Sequence, residues 1–107
     1  MTTEPFNIDL LPKAQKDLKA LRPYTDQATR EIWTLRDNPY RGEAKKGSLR
    51  GVRALSFFLP GRGEYRALYV TIHDTRTCSV FMVAAHEGIY NKAKRRYEAL
   101  KKLGRVS

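Results

Sequence analysis

VRALSFFLPGRGEYRALYVTIHDTRTCSVFMVAA, residues 52–85, decides the fold. Within it lie three apolar runs, Val52 to Leu59, Tyr65 to Ile72 and Cys78 to Ala85, separated by the turn-prone PGRGE and HDTRT. Their Phe, Tyr, Val, Ile and Leu suit a pleated surface, and such short polar connections reverse the chain, so the segment predicts an antiparallel meander. The middle and last runs are apolar at odd and even positions alike, as in central strands covered on both faces. GRG at 61–63 reads as a hairpin turn and not as a phosphate loop, because these glycines do not lead from a strand into a helix.

The flanking sequence supplies the covering layers. Phe6, Ile8 and Leu10 alternate with polar residues, which predicts a short first strand ended by Pro12. From Lys13 to Arg22, Ala14, Leu18 and Leu21 fall at helical spacing while Lys13, Lys16, Asp17 and Lys19 face solvent; Pro23 stops the run. Thr25 and Asp26 are expected to cap a second helix striped by Ala28, Ile32 and Leu35, with Trp33 beside the stripe and Asn38 and Pro39 closing it. The Arg-Pro-Tyr link between the two makes an antiparallel helical hairpin, which must lay its stripe on the sheet. After Glu87 and Gly88, the residues Ile89, Ala93, Tyr97, Leu100 and Leu103 stripe a terminal helix. The expected order is β-α-α-β-β-β-α, a single α+β domain over residues 1–107 with a four-stranded, mainly antiparallel sheet.

Charge is the strongest compositional signal: 21 Lys and Arg against 11 Asp and Glu give +10. Residues 1–40 hold six basic and six acidic side chains, whereas residues 41–107 hold fifteen and five, so the whole excess follows Tyr40. An excess confined to one part of a small chain points to a polyanion or an acidic protein partner. Lys45, Lys46, Arg50 and Arg53 around a Gly- and Lys-rich loop, and Lys92, Arg95 and Arg96 on the terminal helix, are the expected contacts, with a plain solvated face as the bland alternative. No apolar run is long enough for a membrane span, and MTTEPFNIDLLPK has no secretory pattern, so a cytoplasmic protein with no membrane partner is expected. The single cysteine, Cys78, sits in an apolar run and reads as a core residue. With only His73 and His86 and no Cys or His pair at ligand spacing, neither a metal nor another cofactor is expected.

Two segments are chemically unusual. In GEYRALYV, Arg66 is the only long cation within an apolar strand, and a half-buried guanidinium needs a partner or a function; a structural pairing with a core-edge acid is the alternative. In VAAHEGIYNKAKRR, His86, Glu87 and Tyr90 occupy a strand-to-helix junction, where side chains can converge on a rigid scaffold. His73, beside Asp74 in a turn, reads as a solvated turn residue.

Leu49-Arg50-Gly51 before a strand, Tyr65-Arg66-Ala67-Leu68-Tyr69 within one, and a strand ending in His86-Glu87 with Tyr90 beyond it together resemble the RelE/ParE toxin superfamily of type II toxin–antitoxin systems. The resemblance implies that family's fold, a cognate antitoxin, and one of two activities. RelE-like members are ribosome-dependent, metal-independent ribonucleases that cut mRNA by attack of a ribose 2′-hydroxyl on the adjacent phosphate. ParE-like members instead poison DNA gyrase. Carried residue by residue, the resemblance makes Arg66 the phosphate contact, His86 an acid or base, Tyr90 a stacking or hydrogen-bonding group, and Glu87 a base or an orienting partner of His86. The basic residues named above would hold flanking phosphates or ribosomal RNA. RelE carries lysines in the strand that here reads ALSFFL, where Ser56 and Phe58 stand, so its general base does not transfer: either His86 and Glu87 do that work or the reaction is lost. A nuclease needs His86 with Arg66 and a gyrase poison does not, so the expected function is an mRNA endoribonuclease that inhibits translation, with gyrase inhibition as the alternative. A plain RNA-binding module is the third reading; the aromatic residues lie mostly at apolar strand positions, which argues against it.

Overall fold

A computed structural model describes residues 4–104. Strand β1 (Asn7–Leu10) leads into helices α1 (Pro12–Lys19) and α2 (Thr25–Trp33), the latter extended by a 3-10 turn at Thr34–Arg36. A two-residue strand β2 (Glu43–Ala44) and a 3-10 turn at Gly47–Leu49 precede the meander β3 (Val52–Leu59), β4 (Gly63–Ile72) and β5 (Thr77–Ala85); helix α3 (Tyr90–Lys102) ends the fold. The sheet order is β1-β5-β4-β3-β2, with β1 parallel to β5 and every other pair antiparallel.

The meander and its turns agree with the sequence reading. At the β3–β4 turn the Arg62 amide donates to the Leu59 carbonyl at 2.9 Å, and Gly61 and Gly63 take positive φ. Four local readings differ. The sheet has five strands and not four, because Glu43 and Ala44, both exposed and too short a run to show an apolar alternation, pair with Ala54 and Arg53 at the edge. Pro12 opens α1 instead of only ending β1; lacking an amide hydrogen, it fits a helix's first turn, where that hydrogen has no partner. Helix α1 ends at Lys19, and Leu21 is buried from the following turn. Thr25 is the first residue of α2 and not its cap; its hydroxyl donates to the Leu18 carbonyl at 2.8 Å, tying the two helices together.

Two cores lie on opposite faces of the sheet. Ala14, Leu18, Ala28, Ile32 and Leu35 of the helical hairpin pack on Leu55, Phe57, Ala67, Tyr69, Cys78 and Val80. On the other face, Ala93 and Tyr97 of α3 pack on Val52, Ala54, Leu68, Val70, Phe81 and Met82. This explains the apolar character of β4 and β5 at both parities. In the ladder Tyr69 pairs with Val80 but Leu68 pairs with Met82, so Phe81 is the extra residue of a β-bulge. Phe81 and Met82 consequently point to the same face, and the alternation of β5 is inverted from there onward.

Candidate functional site

Helix α3 covers only the half of its sheet face that carries Val52, Ala54, Leu68 and Val70. The other half is left open, and two rows of side chains cross it. Ser56, Arg66 and Ala84 form one; Phe58, Glu64 and His86 form the next, since Phe58 pairs with Glu64 and the His86 amide donates to the Glu64 carbonyl at 3.0 Å. His86 stands on this face because of the bulge. Without Phe81 as an extra residue, it would oppose Gly63 and point to the helical-hairpin face.

The charged side chains of these rows converge on Glu64. Arg66, two residues along the same strand and so on the same face, donates from Nε to Glu64 Oε2 at 3.2 Å. The same oxygen lies 3.9 Å from His86 Nδ1. Arg66 keeps 21% of its side chain exposed, against 42% for Glu64 and 49% for His86, so the cation is the most sheltered member of an accessible trio. The hydrogen bond from Arg66 is the largest influence on the Glu64 carboxyl, which is held below its ordinary range; the charge of His86 and a hydrogen bond from Ser56 act in the same direction. Glu64 is therefore an ionised acceptor at neutral pH, and the Nε2 edge of His86 and the outer nitrogens of Arg66 are left for a ligand.

Glu64 was not foreseen. The sequence points to an acid near Arg66 without specifying which, and to Glu87 as the partner of His86. Among the described residues Glu87 makes no ion pair or side-chain hydrogen bond; it is exposed in the turn that Gly88 makes at φ +70°. Tyr90 opens α3 with 53% of its surface exposed and no hydrogen-bonding partner among the described residues. Cys78 is fully buried, as expected. His73 is not merely solvated: its ring stacks on Tyr40 with centroids 5.8 Å apart and meets the Tyr40 hydroxyl at 3.2 Å.

The basic residues divide into four groups. Lys46 and Arg50 are exposed and Lys45 is half-buried in the loop before β3. Arg53 points to the opposite sheet face from Arg66, where it donates to the carbonyls of Gly42 at 2.7 Å and Tyr40 at 3.2 Å and lies over the Tyr40 ring. Arg96 is mostly sheltered, with 11% of its side chain exposed: it grips Asp17 of α1 at 2.6 and 3.2 Å and donates to the Phe81 carbonyl in the bulge at 3.1 Å. Lys92 and Arg95, in contrast, line an open cleft between α3 and α1 together with Lys13 and Lys16, two lysines that sequence analysis assigns only to solvent. In that cleft the charge of Asp17 is already matched by Arg96, so four cations remain for an anion.

Comparison with known proteins adds the family. A family profile described as "ParE-like toxin of type II bacterial toxin-antitoxin system" matches residues 8–94. The chain belongs to this family. Among solved structures, this ParE-like toxin is similar to a chain of the toxin–antitoxin complex RelBE2 from Mycobacterium tuberculosis, at 25% identity and a TM-score of 0.63 over 77% of this chain and 99% of that one. It shares its fold with an arginine-to-alanine double mutant of the E. coli toxin RelE in the free state, at 20% identity and a TM-score of 0.66, covering 86% of this toxin and 97% of that chain. The same E. coli mutant in complex with a peptide of the antitoxin RelB gives 20% identity and a TM-score of 0.61, over 83% and 94% of the two chains. Among curated proteins, no match is found by sequence.

Proposed function

We propose that this toxin is a ribosome-dependent, metal-independent endoribonuclease acting on mRNA, held inactive by a cognate antitoxin. The observation that carries the proposal is the convergence of Arg66 and His86 on Glu64 at an open stretch of sheet. Cleavage beside a ribose requires removal of the 2′-hydroxyl proton, formation of the bond from the 2′-oxygen to phosphorus, and departure of the 5′-oxygen with a proton. It gives a 2′,3′-cyclic phosphate and a 5′-hydroxyl. In this scheme Arg66 neutralises the charge that develops on the phosphate oxygens, and Glu64 fixes the guanidinium in place. His86 takes the proton of the 2′-hydroxyl through Nε2, with Glu64 beside Nδ1 favouring the imidazolium that forms. Tyr90 and Glu87, at the neighbouring junction, contact the substrate on the leaving-group side, where the departing 5′-oxygen takes its proton from solvent. Lys45, Lys46 and Arg50 on one side, and Lys92 and Arg95 with Lys13 and Lys16 on another, hold flanking phosphates or ribosomal RNA. The antitoxin is expected because the family is defined by toxin–antitoxin pairs and the similar solved structures include such complexes.

A second reading, inhibition of DNA gyrase, is favoured by the ParE-like description of the matching family. One experiment separates the two: induced expression of the wild type, Arg66→Ala and His86→Ala, with mapping of mRNA 5′ ends and assay of gyrase trapped on DNA. The nuclease reading expects new 5′ ends within translated messages for the wild type only. Growth arrest with trapped gyrase and no new ends would reject it.

A further inference from the structure

Phe58 has no place in either core: 67% of its surface is exposed, although the residues on either side of it, Phe57 and Leu59, are buried on the opposite sheet face. Its direction follows from strand alternation, which turns Ser56 and Phe58 toward the open face. The register sets Phe58 directly across from Glu64, with His86 on the far side of Glu64, so one row reads aromatic ring, carboxylate, imidazole. Directly opposed cross-strand side chains stand about 5 Å apart at Cβ and diagonal ones about 7–8 Å, which puts the ring beside the carboxylate and one step from Arg66. Glu64 engages Arg66 and His86, and no aromatic or cation stacks on Phe58 among the described residues, whereas Phe6, Tyr24, Tyr40, Phe57, Tyr65, Phe81 and Tyr97 all have such partners.

We infer that Phe58 is a nucleobase-stacking subsite, on which a base next to the cleaved phosphate lies flat while Arg66 and His86 engage the sugar–phosphate. This rests on the nuclease reading and adds to it a substrate-positioning residue. The chemistry is that of single-stranded RNA recognition, in which an unpaired base presents a π-face to an aromatic side chain and its phosphate to a cation. An aromatic ring beside a phosphate-handling cation supplies both halves of one nucleotide. The negative charge of Glu64 between them discourages a phosphate over the carboxylate and steers it toward Arg66. Because the ring is exposed, its replacement leaves both cores intact.

The test compares the wild type, F58W and F58L in cleavage of mRNA on programmed ribosomes below saturation, with mapped cut sites and thermal melts, alongside titration of a short 2′-O-methyl RNA that cannot be cut. Loss of one stacked base corresponds to roughly a 5- to 100-fold loss of kcat/KM. F58L should show that loss with an unchanged melt, altered base preference at the cut site and weaker binding of the uncut RNA; F58W should stay within about twofold of the wild type. If F58L cuts at the wild-type rate and sites, the subsite is overturned while the nuclease reading stands. If the wild type cuts nothing, the nuclease reading fails and takes with it the placement beside a cleaved phosphate; weaker binding of the uncut RNA by F58L would then leave only base stacking on Phe58, and equal affinity would overturn that too.

Discussion

Arg96→Ala should destabilise this toxin more than any other single replacement among the basic residues of α3. Arg96 and Asp17 expose only 11% and 15% of their side chains, and the pair joins three elements of the fold. Asp17 belongs to α1, Arg96 to α3, and the pair reaches the bulged strand twice, as the Phe81 carbonyl accepts from Arg96 at 3.1 Å and the Val83 amide donates to Asp17 Oδ2 at 2.9 Å. Truncating Arg96 leaves a nearly buried carboxylate and an under-satisfied carbonyl. Breaking a fully buried pair costs about 3–5 kcal/mol, and the residual solvent here lowers the expectation to about 2–4 kcal/mol. For a domain of this size that is a large part of the total stability and lowers the melting temperature on the order of 10–20 °C. Urea denaturation of the wild type, Asp17→Ala, Arg96→Ala and the double variant checks it, with Arg95→Ala as an exposed control expected within about 0.5 kcal/mol of the wild type. The double variant should fall well short of the sum of the singles, by about 1–3 kcal/mol. A loss below about 1 kcal/mol, or strict additivity, would refute the reasoning and return Arg96 to the pool of free cations.

Further outcomes follow from three other places in the molecule. The Tyr69 hydroxyl donates to the Pro39 carbonyl at 2.7 Å and accepts the Gly42 amide at 2.9 Å, so Tyr69→Phe should cost about 1–3 kcal/mol in urea denaturation; Gly42→Ala should also destabilise, since its Cβ would lie 2.8 Å from that ring and hydroxyl. Glu64→Gln keeps the shape of the site but frees Arg66 and removes the charge beside His86, and RNA cleavage should fall about tenfold or more. Because the Glu64 carboxyl titrates below its ordinary 4.5, its pairing with Arg66 is complete above that value and is lost only as pH falls through the depressed one, so the wild type should keep the pair across the whole neutral range. Burial pushes the Cys78 thiol from 9.0 up to about 11, so it should resist alkylation in the native state at pH 8 and react only on unfolding. The unfolded chain ionises this thiol first, so stability should decline as pH rises from 9.0 toward about 11, and less steeply in Cys78→Ala.

The meander, the helical hairpin and the terminal helix were legible because each rests on a local periodicity that packing then rewards. What local pattern cannot carry is a partner brought in by register. Glu43 and Ala44 form a strand only because β3 offers them an edge, and Thr25 bonds to Leu18 because the hairpin closes there. The basic residues illustrate the same limit. Lys92, Arg95 and Arg96 are alike in sequence, yet the position of Asp17 turns one into an anchor between helices and leaves the other two facing a cleft.

The site itself depends on one inserted residue. Arg66 could be singled out from its apolar neighbours, and His86 from its junction, but their meeting is decided by the β-bulge at Phe81. A regular ladder would set Ala85 opposite Glu64 and turn His86 to the face covered by the helical hairpin, separating it from Arg66 by the thickness of the sheet. The bulge is invisible in an apolar run such as SVFMVAA, where every register buries hydrophobic side chains on both faces. It is fixed instead by contacts far apart in sequence: Phe81 stacks on Tyr97 of α3 at 5.9 Å, and its carbonyl is held by Arg96, whose partner Asp17 also takes the Val83 amide. The Arg96–Asp17 pair thus clamps both sides of the irregularity that delivers His86 to Glu64. A variant that weakens this clamp without unfolding the domain should disturb the site through the register of β5, although neither residue touches it.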